Sequence, residues 1–214
     1  MQYLDKKKIE IIDNCPICVG RNSRCECHVK FAFEARKFNS GIPALLCNPS
    51  KQTATFLKDK AIQSFLKDDA VGLFIEGGTK LKRANLLASI LIESLRQEES
   101  VYFINSADWV QLVTDTWWGK KNIDHEAISR KDVLGFNDVG DERRSENTIV
   151  ESIFDAMLRD RLYNMKKIVL SSSINLETFV NIYAKDRIDL LASSFKVISL
   201  PQEKLENIFK EIRK

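Results

Sequence analysis

The sequence predicts an α/β protein in which a parallel sheet is flanked by helices and preceded by a small N-terminal zinc-binding module. Two patterns lead to this fold class. From residue 71 onward, five short apolar segments alternate with amphipathic segments of helical period. Buried strands that alternate with helices are typical of a parallel sheet covered on both faces. The second pattern is the position of the cysteines, because all five lie within the first 47 residues.

Length and composition indicate one medium-sized domain with a small appendage. The chain has 214 residues, of which 44% are hydrophobic, and this suffices to bury a substantial core without disulfides. No apolar run approaches the roughly 18 residues that span a bilayer, and the N-terminal residues lack the apolar segment of a signal peptide. We therefore expect a protein of the cytoplasm, either of its own cell or of an infected host, with no membrane partner.

The net charge is too small to mark the whole chain as a nucleic-acid binder. Formally it is +3, and residues 1–50 carry all of the excess, with eight basic against five acidic residues. Residues 51–214 are balanced at 25 of each sign. Any basic surface on the main domain must therefore arise from folding.

Four of the cysteines are spaced as metal ligands. Cys15 and Cys18 form a Cys-x-x-Cys pair, and Cys25 and Cys27 belong to a Cys-x-Cys-His sequence that ends at His28. Tetrahedral zinc needs four ligands, and clustered cysteines in a reducing compartment indicate a metal rather than disulfides. We predict zinc bound by the four cysteines, with His28 as the substitute if Cys25 and Cys27 cannot both turn toward the ion. Buried free thiols, or a redox pair at Cys15 and Cys18, are the alternatives.

The zinc module is predicted to span residues 1–50 and the main domain residues 51–214. A module too small for its own core takes its folding energy from the metal, which suits a docking element. The fifth cysteine, Cys47, is predicted to be a small core residue.

The main domain reads as regularly alternating strands and helices. The predicted strands are 71–77, 100–107, 133–139, 166–173 and 195–200, and the helices that follow them are 82–97, 108–119, 147–165, 176–193 and 202–214. Two helical segments precede the first strand, at 29–43 and 51–69, and the first ends at Gly41-Ile42-Pro43. Ligands of such sheets bind at the carboxyl ends of the strands. This places residues 76–83, 137–141 and 171–173 at one edge.

The order of these segments resembles the AAA+ helicase loaders of the DnaC/DnaI type, with the transposition ATPase IstB as a cousin. The resemblance covers nearly the whole chain, from the cysteine-rich N-terminus through "RKFNSGIP", the strand and helix at 71–95, "VYFINSADWVQLV", "VLGFNDVG", "IVLSSSINLETF" and "IYAKDRIDLLASSFKVISL". The order and spacing of the pieces carry the resemblance. It implies an AAA+ (RecA-like) domain and a role in DNA replication, in which loaders deliver a ring helicase to single-stranded DNA.

The phosphate-binding motifs of that family are altered in this chain. Where the family has Gly-Lys-Thr, the sequence has Lys82, Arg83 and Ala84, so the lysine that reaches the outer phosphates and the hydroxyl that holds Mg²⁺ are both missing. In the Walker B position Asn137 replaces the metal-binding Asp, while Asp138 keeps the neighbouring acid. A neutral Asn is a poor Mg²⁺ ligand. The polar sensor becomes Ser173, and Leu190 takes the place of the arginine finger.

We therefore predict a phosphate loop that is retained as scaffold, with hydrolysis lost, because phosphoryl transfer depends on charge neutralisation by such groups. Zinc is the expected cofactor, and ATP and Mg²⁺ are not expected to act as cofactors. The degenerate nucleotide or phosphate site comprises Gly77, Gly78, Lys80, Lys82, Arg83, Asn137 and Asp138.

Three functions follow from this interpretation. The first is a replication accessory protein that binds a replicative helicase without hydrolysing ATP, with single-stranded DNA and a related AAA+ loader subunit as further candidate partners. The second is an active ATPase in which Lys80 or Lys82 replaces the missing lysine and Asp138 holds the metal. The third is a regulator that blocks an active loader or helicase. The divergent, Lys-, Asn- and Ile-rich sequence suits a phage or another mobile element.

Overall fold

A computed structural model gives the structure of the protein. It describes residues 15, 16, 18, 25–47, 51–117, 119, 128, 130–140, 148–183 and 193–202. The predicted position of Leu190 therefore lies outside the described residues, as does the predicted helix at 202–214 except for residue 202.

Five parallel strands form one sheet in the order β2-β3-β4-β1-β5. The strands are β1 (Gly72–Gly77), β2 (Val101–Asn105), β3 (Val133–Val139), β4 (Lys167–Ser172) and β5 (Phe195–Leu200). All five predicted strands are confirmed to within two residues at each end. Strands β3 and β4 are buried along their whole length. This agrees with their continuous apolar sequences, which are typical of strands covered on both faces.

Helices connect the strands and cover both faces of the sheet. They are α1 (Glu26–Asn39), α2 (Lys51–Phe56), α3 (Lys60–Leu66), α4 (Lys80–Arg96), α5 (Ser106–Trp117), α6 (Thr148–Tyr163) and α7 (Leu176–Tyr183), with a short 3₁₀ helix at Ala44–Leu46. The α/β fold class predicted from the sequence is thus confirmed. For the helix predicted at 176–193, the structure describes its first part as α7, and residues 184–192 lie outside the described ranges.

Helix α4 is the centre of one layer of the core. Eleven of its 17 residues are buried, and it packs against β1 to β4 on one side and against α1, α2 and α3 on the other. Gly135 on β3 permits this approach, because a Cβ there would lie 2.8 Å from a methyl group of Leu91. Because α4 is packed on both sides, the position of its first turn is fixed. This turn faces the carboxyl edge of the sheet.

The opposite face of the sheet is covered by an aromatic cluster. Phe136 on β3 contacts Trp109 and Phe154 in edge-on arrangements, with ring centroids 5.4 and 5.1 Å apart. Phe74 on β1 contacts Phe179 at 5.3 Å. Such tilted and edge-on pairs contribute beyond the burial of their area, so this layer holds α5, α6 and α7 against the sheet.

The segment 51–69 differs from the single helical face that its sequence suggests. It forms two short helices, α2 and α3, which are separated by Leu57, Lys58 and Asp59. Asp59 is the N-cap of α3, since its carboxylate accepts a hydrogen bond of 2.8 Å from the backbone N–H of Ala61. The cap starts a new helix at this point, although the spacing of the apolar residues continues through it.

The segment that follows α1 is attached to the main domain. The backbone N–H of Phe103 on β2 donates a hydrogen bond of 2.7 Å to the carbonyl of Ser40, and Ile42 and Leu46 lie in the same core cluster as α4. Gly41 adopts a φ of +72°, and a Cβ there would lie 2.6 Å from the Phe103 carbonyl oxygen. Residues 40–46 therefore pack as part of the main domain, and the division at residue 50 stays a prediction.

A buried arginine holds together the other end of the sheet. One nitrogen of Arg161, Nη2, donates to the carbonyls of Lys131, Asp132 and Lys167, at 3.0, 3.0 and 2.6 Å. Burial lowers the pKa of Arg161 to about 10, which still leaves the side chain protonated at neutral pH. The contacts join the starts of β3 and β4 to α6, far from the carboxyl edge.

Candidate functional site

The loop between β1 and α4 is a tight turn shaped by two glycines. Gly77 and Gly78 have φ values of +73° and +58°, which glycine adopts without steric cost. The end of β5 lies against them, since a Cβ on Gly77 would be 2.5 Å from the carbonyl oxygen of Leu200. Thr79 then caps α4, its hydroxyl accepting from the backbone N–H of Lys82 at 3.3 Å. The loop is therefore held on two sides.

Arg83 points into this loop and not toward solvent. Its side chain is only 5% exposed. Nη1 donates to the carbonyl oxygens of Gly77 and Gly78, each at 3.2 Å, and Nη2 donates to Oδ1 of Asp138 at 3.0 Å. The third donor, Nε, is buried and has no hydrogen-bond partner among the described residues. The guanidinium thus joins the loop to the end of β3.

Asp138 has partners on both its carboxylate and its backbone. Besides Arg83, its carboxylate forms an ion pair of 2.9 Å with Lys80 and accepts from Nδ2 of Asn137 at 3.1 Å. Its backbone is held as well, because its N–H donates to Oγ of Ser171 at 3.1 Å and its carbonyl accepts from Ser106 at 2.6 Å. A carboxylate offers about four acceptor positions, and three are in use.

A β-bulge brings Asp138 into the site. Phe136 pairs with Leu170 and Val139 with Ser172, so β3 has one more residue than β4 between these two pairs. Asp138 has a φ of +57°, a left-handed conformation that Asp tolerates better than most residues. Bulges of this kind redirect side chains, and here the carboxylate is turned toward the loop.

Asn137 belongs to a chain of hydrogen bonds along the strand ends. Its Nδ2 donates to Oδ1 of Asn105 at 3.0 Å, and its Oδ1 accepts from the hydroxyl of Ser171 at 2.9 Å. Asn105 in turn donates to the carboxylate of Asp108 at 2.9 Å. The amide and hydroxyl groups in this series of hydrogen bonds therefore serve as donors and acceptors for one another.

The structure brings together six of the seven residues predicted as the degenerate site. Gly77, Gly78, Lys80, Arg83, Asn137 and Asp138 are joined by direct contacts. Lys82 lies beside them in the first turn of α4 with a half-buried side chain, and its backbone amide bonds Thr79. That these residues bind nucleotide or phosphate stays a prediction.

Two further residues in the network, Asn105 and Ser106, were not singled out by sequence reasoning. Asn105 ends β2 and Ser106 begins α5, whereas Ser171, near the end of β4, lies in the range 171–173 already placed at this edge. The available signal was their position, because polar residues that end a buried strand meet at the same edge of a parallel sheet. Ser173, predicted as the sensor residue, is exposed.

The charges and dipoles of this loop favour a cation. Two backbone carbonyls and a carboxylate converge on one point, and the positive group there is Arg83. A P-loop does the reverse, because its backbone N–H groups surround an anion. The Arg83–Asp138 pair therefore occupies this loop with the chain's own charges.

A second candidate site is the cluster of Cys15, Cys18, Cys25 and Cys27. Their four sulfur atoms lie within 4.8 Å of one another. The Cys18 and Cys27 sulfurs are 3.2 Å apart and those of Cys15 and Cys25 are 3.7 Å apart, and none of these cysteines forms a disulfide. Zinc–sulfur bonds of about 2.3 Å place the corners of a tetrahedron about 3.8 Å apart. The donor set and its spacing fit a metal ion such as zinc.

The start of α1 explains how Cys25 and Cys27 can both face the cluster. Cys25 is the N-cap of α1 and Cys27 lies in its first turn, so the Cys-x-Cys pair does not follow an extended chain. The four converging side chains are all cysteines, so they could fill a tetrahedral site without His28, and the ligand set stays a prediction. Burial, together with hydrogen bonds from the other thiols, raises the pKa of Cys27. A cation at the centre would offset this effect and favour thiolates.

Cys47 lies apart from the cluster. Its Sγ is 3.5 Å from the carbonyl oxygen of Pro43, and the side chain packs against the core around α4 as a partly buried residue. Burial raises the pKa of its thiol.

The fold is similar to those of solved replication proteins. One is the DnaC helicase loader, at 15% identity over 78% of this chain and 99% of that chain, with a TM-score of 0.55. Another is DnaI, at 14% identity over 78% and 97% of the two chains, with a TM-score of 0.58. A third is the replication initiator DnaA bound to AMPPCP and single-stranded DNA, at 18% identity over 78% and 56%, with a TM-score of 0.55. At these identities the likeness concerns the fold, and it confirms the predicted DnaC-type AAA+ fold.

No protein-family model and no curated protein matches the sequence. Within the ranges described above, no helix is both long and apolar enough to cross a membrane.

The ion pair predicts unequal effects for two neighbouring cations. Arg83→Ala leaves a buried carboxylate with less compensation, and loss of one partner of a buried pair typically costs about 3–5 kcal/mol of unfolding free energy. Lys80→Ala removes a side chain that is 70% exposed, and an exposed pair contributes only about 0–1 kcal/mol. Urea unfolding of both variants measures the difference. Equal losses would contradict the structural role assigned to Arg83.

The cysteine cluster predicts one equivalent of bound zinc in the purified protein. Cys18→Ser should reduce the zinc content to near zero, because the serine hydroxyl is a poor replacement for a thiolate ligand. Cys47→Ser is the matched control and should keep the full equivalent. Metal content by plasma mass spectrometry checks both variants, and zinc retained by Cys18→Ser would show that the four cysteines are not the ligand set.

Proposed function

We propose that this chain is a DNA-replication accessory protein that binds a replicative helicase and does not hydrolyse ATP. The observation that carries the proposal is the likeness to the DnaC helicase loader over 99% of that chain. This accounts for the replication role and for the class of partner. Single-stranded DNA and a related AAA+ subunit are further candidate partners, and we place the protein in the cytoplasm.

The occupied loop supports the absence of hydrolysis. Mg²⁺ prefers carboxylate and water oxygens in octahedral geometry, but both Asp138 oxygens already bind cationic side chains. The neighbouring Asn137 is engaged through both atoms of its amide. A Mg²⁺ ion that bound Asp138 directly would therefore compete with these cationic side chains for the carboxylate.

The residues at the hydrolysis positions point the same way. Ala84 occupies the place of the Mg²⁺-binding hydroxyl and is buried in the core cluster of α4. Arg83 occupies the place of the phosphate-binding lysine, but its charge is directed at Asp138. Loss of a single group that stabilises developing charge costs about 10²–10³ in rate. Hydrolysis without either group would fall to background.

The cysteine cluster supports a docking role for the N-terminal module. It joins Cys15 and Cys18 to the first turn of α1, and a metal there would order a segment with little core of its own. Along α1, Cys27 is the one buried residue. Six of its 14 residues are exposed, and these could contact a partner.

Helicase binding is tested with the replicative helicase of the protein's own cell or host. Immobilised wild-type protein should bind the helicase, and the Cys15→Ser/Cys18→Ser variant should bind at least about tenfold more weakly, equivalent to about 1.4 kcal/mol. Cys47→Ser is the control and should bind like the wild type. No binding by the wild type would refute the partner class, whereas unchanged binding by the double variant would refute only the docking role of the module.

The absence of nucleotide chemistry is tested on the same material. Millimolar ATP with Mg²⁺ should leave the melting temperature unchanged, since a ligand at 100 times its Kd would add about 2.7 kcal/mol to the stability. Phosphate release should stay at the level of buffer. Turnover that disappears in Asp138→Ala would show an active ATPase and would overturn this part of the proposal.

A further inference from the structure

The loop between β1 and α4 presents hydrogen-bond acceptors where its relatives in fold would hold phosphate. The carbonyl oxygens of Gly77 and Gly78 and Oδ1 of Asp138 lie 3.0 to 3.2 Å from the two terminal nitrogens of Arg83. Two elements supply these acceptors, the turn after β1 and the bulge in β3. Such an arrangement binds N–H groups and repels phosphate oxygens.

We infer that these three acceptors form a guanidinium-binding site, which Arg83 fills from within its own chain. The ligand class is a planar cation with several N–H donors. A guanidinium carries its donors in a rigid fork, which can reach a carboxylate and two carbonyls at once, whereas an ammonium is a single point charge. This inference concerns the same loop as the proposed function. It rests on the proposed function in one respect, namely that the loop no longer binds nucleotide.

The acceptor groups of the site are held in position by contacts other than those with Arg83. The Gly77 carbonyl is fixed because the left-handed turn is closed against Leu200 of β5. The Asp138 carboxylate is fixed because the backbone on both sides of it is bonded by Ser171 and Ser106. Neither group depends on Arg83 for its backbone position, so the acceptors should persist when the Arg83 side chain is shortened.

Burial makes the site selective for a charged ligand. Asp138 is 3% exposed and Arg83 is 4% exposed, and a carboxylate at that depth requires a compensating charge. Lys80 remains at the mouth of the site with its Nζ 2.9 Å from the other carboxylate oxygen. It neutralises Asp138 in part but does not replace the hydrogen bonds that Arg83 donates to the carbonyls of Gly77 and Gly78. A small free guanidinium ion matches this remaining space and charge.

Chemical rescue of Arg83→Ala in the full chain tests the inference. Low-millimolar guanidinium chloride should raise the melting temperature of this variant in a saturable manner and recover most of the loss relative to the wild type. Sodium chloride and methylammonium chloride at equal concentration should not. Arg96→Ala, which removes an exposed arginine at the far end of the same helix, is the matched control and should show no rescue. The double variant Arg83→Ala/Asp138→Asn should also show none.

Two outcomes would overturn the inference. One is no guanidinium-specific rise in Arg83→Ala, and the other is stabilisation of that variant by tripolyphosphate in place of guanidinium, which would mark the loop as an anion site. These outcomes differ from failure of the proposed function, which is read from helicase binding and ATP turnover by the wild-type protein.

A second measurement applies if Arg83→Ala does not fold. In the wild type, nitrogen-resolved NMR of arginine side chains should show the Arg83 Nη protons as separate, slowly exchanging signals that ATP with Mg²⁺ leaves in place. Signals averaged by free rotation, or displaced by ATP, would overturn the inference without any variant.

Discussion

The buried ion pair between Arg83 and Asp138 is the interaction on which the rest of the candidate site depends. It joins the first turn of α4 to the end of β3, across 55 residues of sequence. An unpaired charge at this depth would be strongly destabilising, so each of the two charges compensates the other. The carboxyl edge of the sheet, where related folds bind a ligand, is thereby neutralised by the chain itself.

The bulge in β3 is what makes this pair geometrically possible. In a regular strand, Asn137 and Asp138 would point to opposite faces of the sheet. The extra residue and the left-handed conformation of Asp138 put both side chains on the same side, so that the Asn137 amide donates to the Asp138 carboxylate. Ser171 holds the bulge by bonding to both residues. The loop, the bulge and the ion pair therefore form one structure.

The sequence predicts the elements of this protein better than their contacts. The strands were predictable because parallel strands buried on both faces are continuous apolar runs, and β3 was predicted residue for residue. Whether Cys25 and Cys27 both face an ion was left open because the alternation of an extended chain puts residues i and i+2 on one side only locally, and the helix that begins between them brings both sulfurs into the cluster. The direction of Arg83 was not predictable, since it depends on a partner 55 residues away and on a bulge that leaves no local signature.

Arg83, Ala84 and Asn137, which depart from the phosphate-binding motif, all fit the buried surroundings in which they lie. Ala84 presents a methyl group to the core beside α4, where a hydroxyl would need a partner. A lysine in place of Arg83 could neutralise Asp138, but its single ammonium could not also satisfy two loop carbonyls in fixed fork geometry. Asn137 is bonded on both sides of its amide, and the Asp138 carboxylate is paired with Arg83 and Lys80. If the proposed function is correct, these residues replace a phosphate site by side chains that bind one another, within the same arrangement of sheet and helices.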